Sequence, residues 1–187
     1  MAVNSTNGKT LSAKAELENA KKIIINSIAE TMDIYGVTPS VGRLYGTMYL
    51  QQEPMNLDEL KDDMGMSKPS MSTGVRTLQD NNMVQKQWAK GSRRAQYVAE
   101  KDFFKTFVHF FCKRWEREAN ENLEAVLEAE QKIKNVLAQE ELDEETRQDA
   151  ESCLERIEES KVYYRWLKRL VHSFYSNEIF AHIPKEE

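Results

Sequence analysis

The residues of this 187-residue chain best placed to do chemistry are gathered in one stretch, Ser67–Arg94. It carries Lys68, Arg76, Lys86, Lys90, Arg93 and Arg94 against a single acid, Asp80. The whole chain has a formal net charge of −5, so a cationic window interrupts an acidic remainder. That division marks a local anion-binding face. Within it, Met71, Val75 and Leu78 follow at i, i+4 and i+7 and belong to the inner side of a helix. The opposite side then holds Pro69, Thr73, Arg76 and Asp80, flanked by Ser70, Ser72 and Thr77. Small hydroxyl side chains let a helix approach a major groove closely and bond phosphates or base edges, while an arginine can take guanine in a bidentate pair. Ser67 and Lys68 stand at the helix start, where free N–H groups and the helix dipole favour a phosphate. The expected contacts to double-stranded DNA are therefore Ser67, Lys68, Ser70, Ser72, Thr73, Arg76 and Thr77, joined by Lys90, Arg93 and Arg94 from the loop that follows.

Other chemistries find no footing. There is no G-x-S-x-G, no P-loop and no paired glycine-rich fingerprint, and serine and aspartate abound without a positioned base. His109, His172 and His182 have no metal-ligand spacing among themselves, and the i, i+3 pair His109/Cys112 reads as packing. No catalytic residue, metal or cofactor is expected. Cys112 and Cys153, far apart in helical patterns, read as buried free thiols of a reducing cytosol. Met1–Thr10 is polar without a hydrophobic signal core, and no stretch approaches the roughly 18 apolar residues of a membrane span. The expected location is cytoplasmic, away from membranes.

The elements that must hold this window can be read from periodicity and punctuation. Leu17, Ala20, Ile24, Ile28 and Met32 predict an amphipathic helix over roughly Ser12–Tyr35, stopped by Gly36. Thr38-Pro39 reads as an N-cap with proline at the first position of a second helix, to about Gln51. Gly42 and Gly46, one turn apart, weaken that helix and imply a second backbone packed against it. After a short extended piece at Pro54-Met55, Asn56 caps a third helix with Glu59 as capping-box partner, and Gly65 ends it. The fourth helix runs from Ser67 to about Asn81. Met83–Trp88 and Gln96–Ala99 alternate like strands around the basic loop Ala89–Ala95. Beyond Glu100 the pattern is helical: a long helix rich in phenylalanine, an acidic turn at Glu140–Glu145, and a last helix over about Asp143–Phe180. In the latter Ile157, Tyr164 and Val171 recur every seven residues, as do Leu167 and Phe174, which resembles a coiled-coil seam.

A short helix, a Gly-Met-Ser turn, a second amphipathic helix and a basic hairpin describe a winged helix-turn-helix. The fold class expected is mainly α with a small β-hairpin wing. Residues 1–10 form a disordered lead, 11–100 a DNA-binding head with an N-terminal dimerisation helix, and 101–187 a helical dimerisation arm. Helices this long cannot bury their stripes against a small head, so the first and last two should pack against a second subunit as a homodimer. With about four phosphate contacts per subunit, the log–log salt slope of DNA binding should be about −7.

Gly42-Arg43-Leu44-Tyr45-Gly46-Thr47-Met48-Tyr49-Leu50, Leu57-Asp58-Glu59-Leu60, Ser67-Lys68-Pro69-Ser70-Met71-Ser72, Leu78 and Gly91-Ser92-Arg93-Arg94-Ala95-Gln96-Tyr97 resemble the GbsR-type branch of the MarR-like regulators. The resemblance is strongest over Glu30–Phe103 and looser through the arm. It implies a dimeric repressor of osmoprotectant genes, controlling choline uptake and oxidation to glycine betaine or compatible-solute transport, with a choline-like effector. A quaternary ammonium ion offers no hydrogen-bond donor and is held by aromatic faces. Tyr45, Trp88, Tyr97 and Trp115 are the candidates for such a cage near the head–arm junction, where a ligand would change the angle between the two reading heads. Two alternatives stand beside this: thiol oxidation at Cys112 as the trigger, and a winged fold used as a protein-interaction module.

Overall fold

The computed structural model describes residues 5–88 and 94–186, with side chains from residue 12 onward. Its elements in order are α1 (Ser5–Ile34), α2 (Pro39–Leu50), α3 (Leu57–Met64), α4 (Lys68–Asp80), β1 (Val84–Trp88), β2 (Ala95–Ala99), α5 (Phe103–Leu137), α6 (Glu144–Tyr175) and α7 (Ile179–His182). The chain divides into two compact units, one up to Thr106 and one from Phe107. Among the described residues no helix is long and apolar enough to cross a membrane.

In the first unit the local punctuation acts as its chemistry dictates. Asn56 Oδ1 accepts from the backbone N–H of Asp58 and Glu59 at 2.9 and 3.1 Å, and Glu59 Oε2 accepts from the N–H of Asn56 at 2.7 Å. This closed capping box starts α3, and Gly65 ends it in the left-handed region at φ 62°. Ser67 caps α4 by accepting from the Ser70 N–H, with Pro69 in the first turn. Thr38 departs from expectation. It stands before Pro39 but makes no side-chain cap, and its hydroxyl lies 3.3 Å from that of Ser40 instead.

The core of the head is built from Leu44, Tyr45 and Met48 of α2, Leu60 of α3, and Met71, Val75 and Leu78 of α4, all essentially buried. α2 lies hard against α1. A Cβ on Gly42 would meet Ala29 Cα at 2.8 Å, and one on Gly46 would meet Ile25 Cα at 3.1 Å, so the two glycines are what allow the approach. Only the C-terminal part of the α1 stripe is covered: Ala29 and Met32 are buried, whereas Leu17 and Ile24 stay exposed in the single chain.

β1 and β2 pair antiparallel, from Val84 opposite Ala99 to Trp88 opposite Ala95. The extended residue Met55 bridges to the other edge of β2 by exchanging both backbone hydrogen bonds with Tyr97, at 2.9 and 2.8 Å. The segment joining the hairpin to α5 is fastened to α2. Tyr45 donates its hydroxyl to the Glu100 carbonyl at 2.9 Å, and the Lys101 ammonium donates to the carbonyls of Met48, Tyr49 and Gln51 at the end of α2. A cation there meets the negative end of the helix dipole.

In the second unit α5 and α6 run antiparallel. Phe174 packs on Phe107 and Trp115, and Lys161 Nζ lies 2.5 Å from Glu130 Oε2. Leu167 and Val171 are buried within the chain itself. The seven-residue seam thus already has an intrachain partner. The last helix also ends earlier than expected, at Tyr175. Asn177 adopts φ 62° and turns the chain before the short α7, since asparagine tolerates the left-handed region better than most residues.

Candidate nucleic-acid interface

α3, the turn Gly65–Ser67 and α4 form the helix-turn-helix, and the β1–β2 hairpin follows it directly as the wing. α4 is oriented by its inner face. Met71, Val75 and Leu78 are sunk in the core, and Gly74 faces Leu44, whose Cδ2 would be 2.9 Å from a Cβ there. This leaves Ser67, Lys68, Ser70, Ser72, Thr73 and Arg76 exposed on one surface, with Thr77 half-buried at its edge. The hydroxyls are partly engaged within the helix: Ser67 Oγ lies 2.8 Å from Ser70 Oγ, and Thr77 donates to the Thr73 carbonyl at 3.1 Å. Each retains acceptor capacity for an outside donor. Lys90 and Arg93 lie outside the described residues, and Arg94, at the foot of β2, is exposed.

Two features of this surface were not expected. A shallow groove of about 420 Å³ joins the start of α2 to α4, and it is lined by Thr38, Ser40, Ser70 and Thr73 together with apolar neighbours. The α2 side of that groove gives no signal in the basic window, because it lies some thirty residues upstream. The second is Asp58. Its carboxylate is 2.7 Å from Lys68 Nζ and 3.6 Å from Arg94 Nη1. The hydrogen bond from Lys68, with the charges of Lys68, Arg94 and Lys61, holds this carboxyl below the usual aspartate range.

The four aromatic candidates fall in different surroundings. Tyr45 is 1% exposed, its hydroxyl engaged by Glu100 and 3.4 Å from that of Thr106, and burial pushes its phenol upward. Trp88 is 63% exposed on β1, with Lys86 Nζ 4.6 Å from its ring centre. Tyr97 is opposite Lys86, so it shares a hairpin face with Trp88. Trp115 belongs to the second unit and packs with Phe107, Phe111 and Phe174. Of the two thiols expected to be buried, Cys153 is instead exposed on α6; Cys112 is fully buried, and burial, reinforced by Glu116, pushes its thiol up to about 11. Among the described residues no cluster of three or more histidine, cysteine or acidic side chains could hold a metal.

A cationic, hydroxyl-faced second helix followed by a hairpin defines a winged helix-turn-helix DNA-binding regulator. Residues 103–181 match the family model described as the GbsR family transcriptional regulator, C-terminal helical hairpin. The chain is 52% identical over 172 residues to the HTH-type transcriptional repressor GbsR of Bacillus subtilis (strain 168), covering 92% of this chain and 95% of that relative. It is 34% identical over 169 residues to the HTH-type transcriptional repressor OpcR of the same organism, covering 90% and 91%. A crystal structure of a transcriptional regulator superposes with a TM-score of 0.60 over 89% of this chain and 99% of that chain, at 16% identity, which bears on the fold alone. The chain belongs to the GbsR family of transcriptional regulators, a family of DNA-binding proteins rather than enzymes.

Proposed function

We propose that the protein is a cytoplasmic homodimeric repressor that controls osmoprotectant genes, those for choline uptake or for glycine betaine synthesis and transport, and responds to a choline-like effector. The observation that carries this reading is the 52% identity to a repressor over nearly the whole of both chains. α4 enters the major groove with Ser70, Ser72, Thr73, Arg76 and Thr77, and Ser67 and Lys68 take the phosphate at its start. Lys90, Arg93 and Arg94 of the wing take the neighbouring backbone. Dimerisation is supported by large apolar side chains left uncovered in the single chain, Leu17, Ile23 and Ile24 on α1 and Val162, Tyr163 and Trp166 on α6.

Trp88 and Tyr97 supply aromatic faces for a quaternary ammonium ion on the hairpin, Trp115 supplies one within the second unit, and Tyr45, sealed in the core, acts through its hold on Glu100. Such a ligand shifts the equilibrium only by its differential affinity for the two states. A thiol trigger at Cys112 is disfavoured by its burial and raised pKa. The test is binding of the full-length protein to the DNA upstream of its own gene, with and without choline and glycine betaine. Sequence-selective binding weakened by choline supports the proposal. Binding indifferent to both compounds removes the effector, and absence of selective binding removes the repressor.

A further inference from the structure

Asp58 is the second residue of α3, and its carboxylate is where three parts of the head meet. Oδ1 faces Lys68 at the start of α4, and Oδ2 faces Arg94 at the foot of the wing. Both cations belong to the proposed DNA-contacting set, and their side chains are 55% and 72% exposed. A carboxylate bound between an ammonium and a guanidinium offers them the same charge and the same kind of acceptor oxygens as a backbone phosphate. We propose that Asp58 is an internal stand-in for a DNA phosphate, which holds Lys68 and Arg94 in the free protein and restrains affinity for DNA of any sequence. The inference rests on the reading that these two cations face DNA.

Cations that neutralise phosphates release counterions whatever the base sequence, and each contact adds about 0.9 to the salt slope. A cation already matched by a carboxylate contributes less. Moving Lys68 onto a phosphate takes it from Asp58 and leaves an anion beside the DNA. Neither ion pair of Asp58 involves Arg76, so the restraint falls on backbone affinity and leaves base reading alone. The same arrangement ties the wing to the helix-turn-helix before DNA arrives, so the two reach the duplex already oriented to each other.

The test uses the full-length protein, a random-sequence duplex and a series of salt concentrations. Asp58→Asn keeps the side-chain shape and removes the charge. It should raise affinity about fivefold or more at 0.1 M salt and steepen the slope by up to about 0.9 per subunit. Asp58→Glu should bind as the parent does. Lys68→Gln in the parent should flatten the slope by clearly less than about 0.9 per subunit, and by more in the Asp58→Asn background. The inference is overturned by an Asp58→Asn protein of native melting behaviour whose affinity and slope are unchanged or reduced. If Asp58→Asn does not fold, a full loss of about 0.9 per subunit on Lys68→Gln alone overturns it equally. The second result itself places Lys68 on DNA, and after the first a slope loss on Lys68→Gln in the parent does the same, so that the proposed interface stands while this inference falls. If instead Lys68→Gln and Arg94→Gln leave DNA binding untouched in every background, the interface fails and takes this inference with it.

Discussion

Replacing Gly42 by alanine tests the claim that α1 and α2 are packed backbone to backbone. The new Cβ would lie 2.8 Å from Ala29 Cα, 3.2 Å from Ala29 O and 3.3 Å from Ala29 Cβ. Two of these are main-chain atoms, which no rotamer change can move aside. α1 must therefore retreat by about half an ångström, loosening the buried Ala29. Overpacking of this kind costs about 1–3 kcal/mol. Against it stands the gain of about 0.5–1 kcal/mol from replacing a glycine inside a helix. The net expectation is a loss of about 1–2 kcal/mol, or roughly 3–6 °C in melting temperature for a chain of this size. Gly46→Ala, whose nearest contact is 3.1 Å from Ile25 Cα, should fall between neutral and half that loss. Thermal melts followed by circular dichroism at one fixed protein concentration read both variants. A Gly42→Ala protein that melts at or above the parent temperature would refute the reasoning.

Three further outcomes follow from the same structure. Arg76→Ala should cost about 1–3 kcal/mol on the operator and relax its base preference, with little effect on a random duplex; equal losses on both would make Arg76 a phosphate contact. In the native protein at pH 8 a thiol reagent should modify Cys153, which is exposed, and leave Cys112 untouched until the chain unfolds; one-step modification of both thiols would contradict the burial of Cys112. Glu130 is held down to about 2 by hydrogen bonds from Lys134 and Lys161. Its folded pKa lies below the ordinary 4.5, so its contribution to stability is complete above that value and is lost as pH falls from 4.5 towards 2. Acid titration of Glu130→Gln should lack that portion of the loss, which a comparison of unfolding midpoints at pH 5 and pH 3 would reveal.

What the sequence made legible was governed by short-range rules. A capping box needs only Asn56 and Glu59 three residues apart, and a left-handed stop needs only Gly65, so α3 and α4 could be placed almost to the residue. The inward stripe of α4 also fixed which of its side chains face out. What stayed hidden depends on elements distant in sequence. Asp58 looks like an ordinary first-turn acid until folding brings Arg94, thirty-six positions later, to the same carboxylate. Tyr45 has the same side chain whether it lines a pocket or fills a core, and only tertiary packing decides that it is sealed. The seam of α6 is real, but periodicity names no partner, and α5 of the same chain meets part of it. The early end at Tyr175 turns on the conformation of Asn177, a residue that helices also tolerate.

The bond between Lys161 and Glu130 has a mechanical consequence for the α5–α6 pair. Greasy stripes that repeat every seven residues are nearly self-similar, and a slip by one repeat would find comparable neighbours. A charged rung has no such repeat. Lys161 is 4% exposed, and its ammonium is clasped by Glu130 from across and Glu158 from its own helix. Sliding α6 by a single turn, about 5.4 Å, would carry it out of reach of Glu130 and strand a charge away from water. The rung therefore fixes how far along its axis each rod sits against the other.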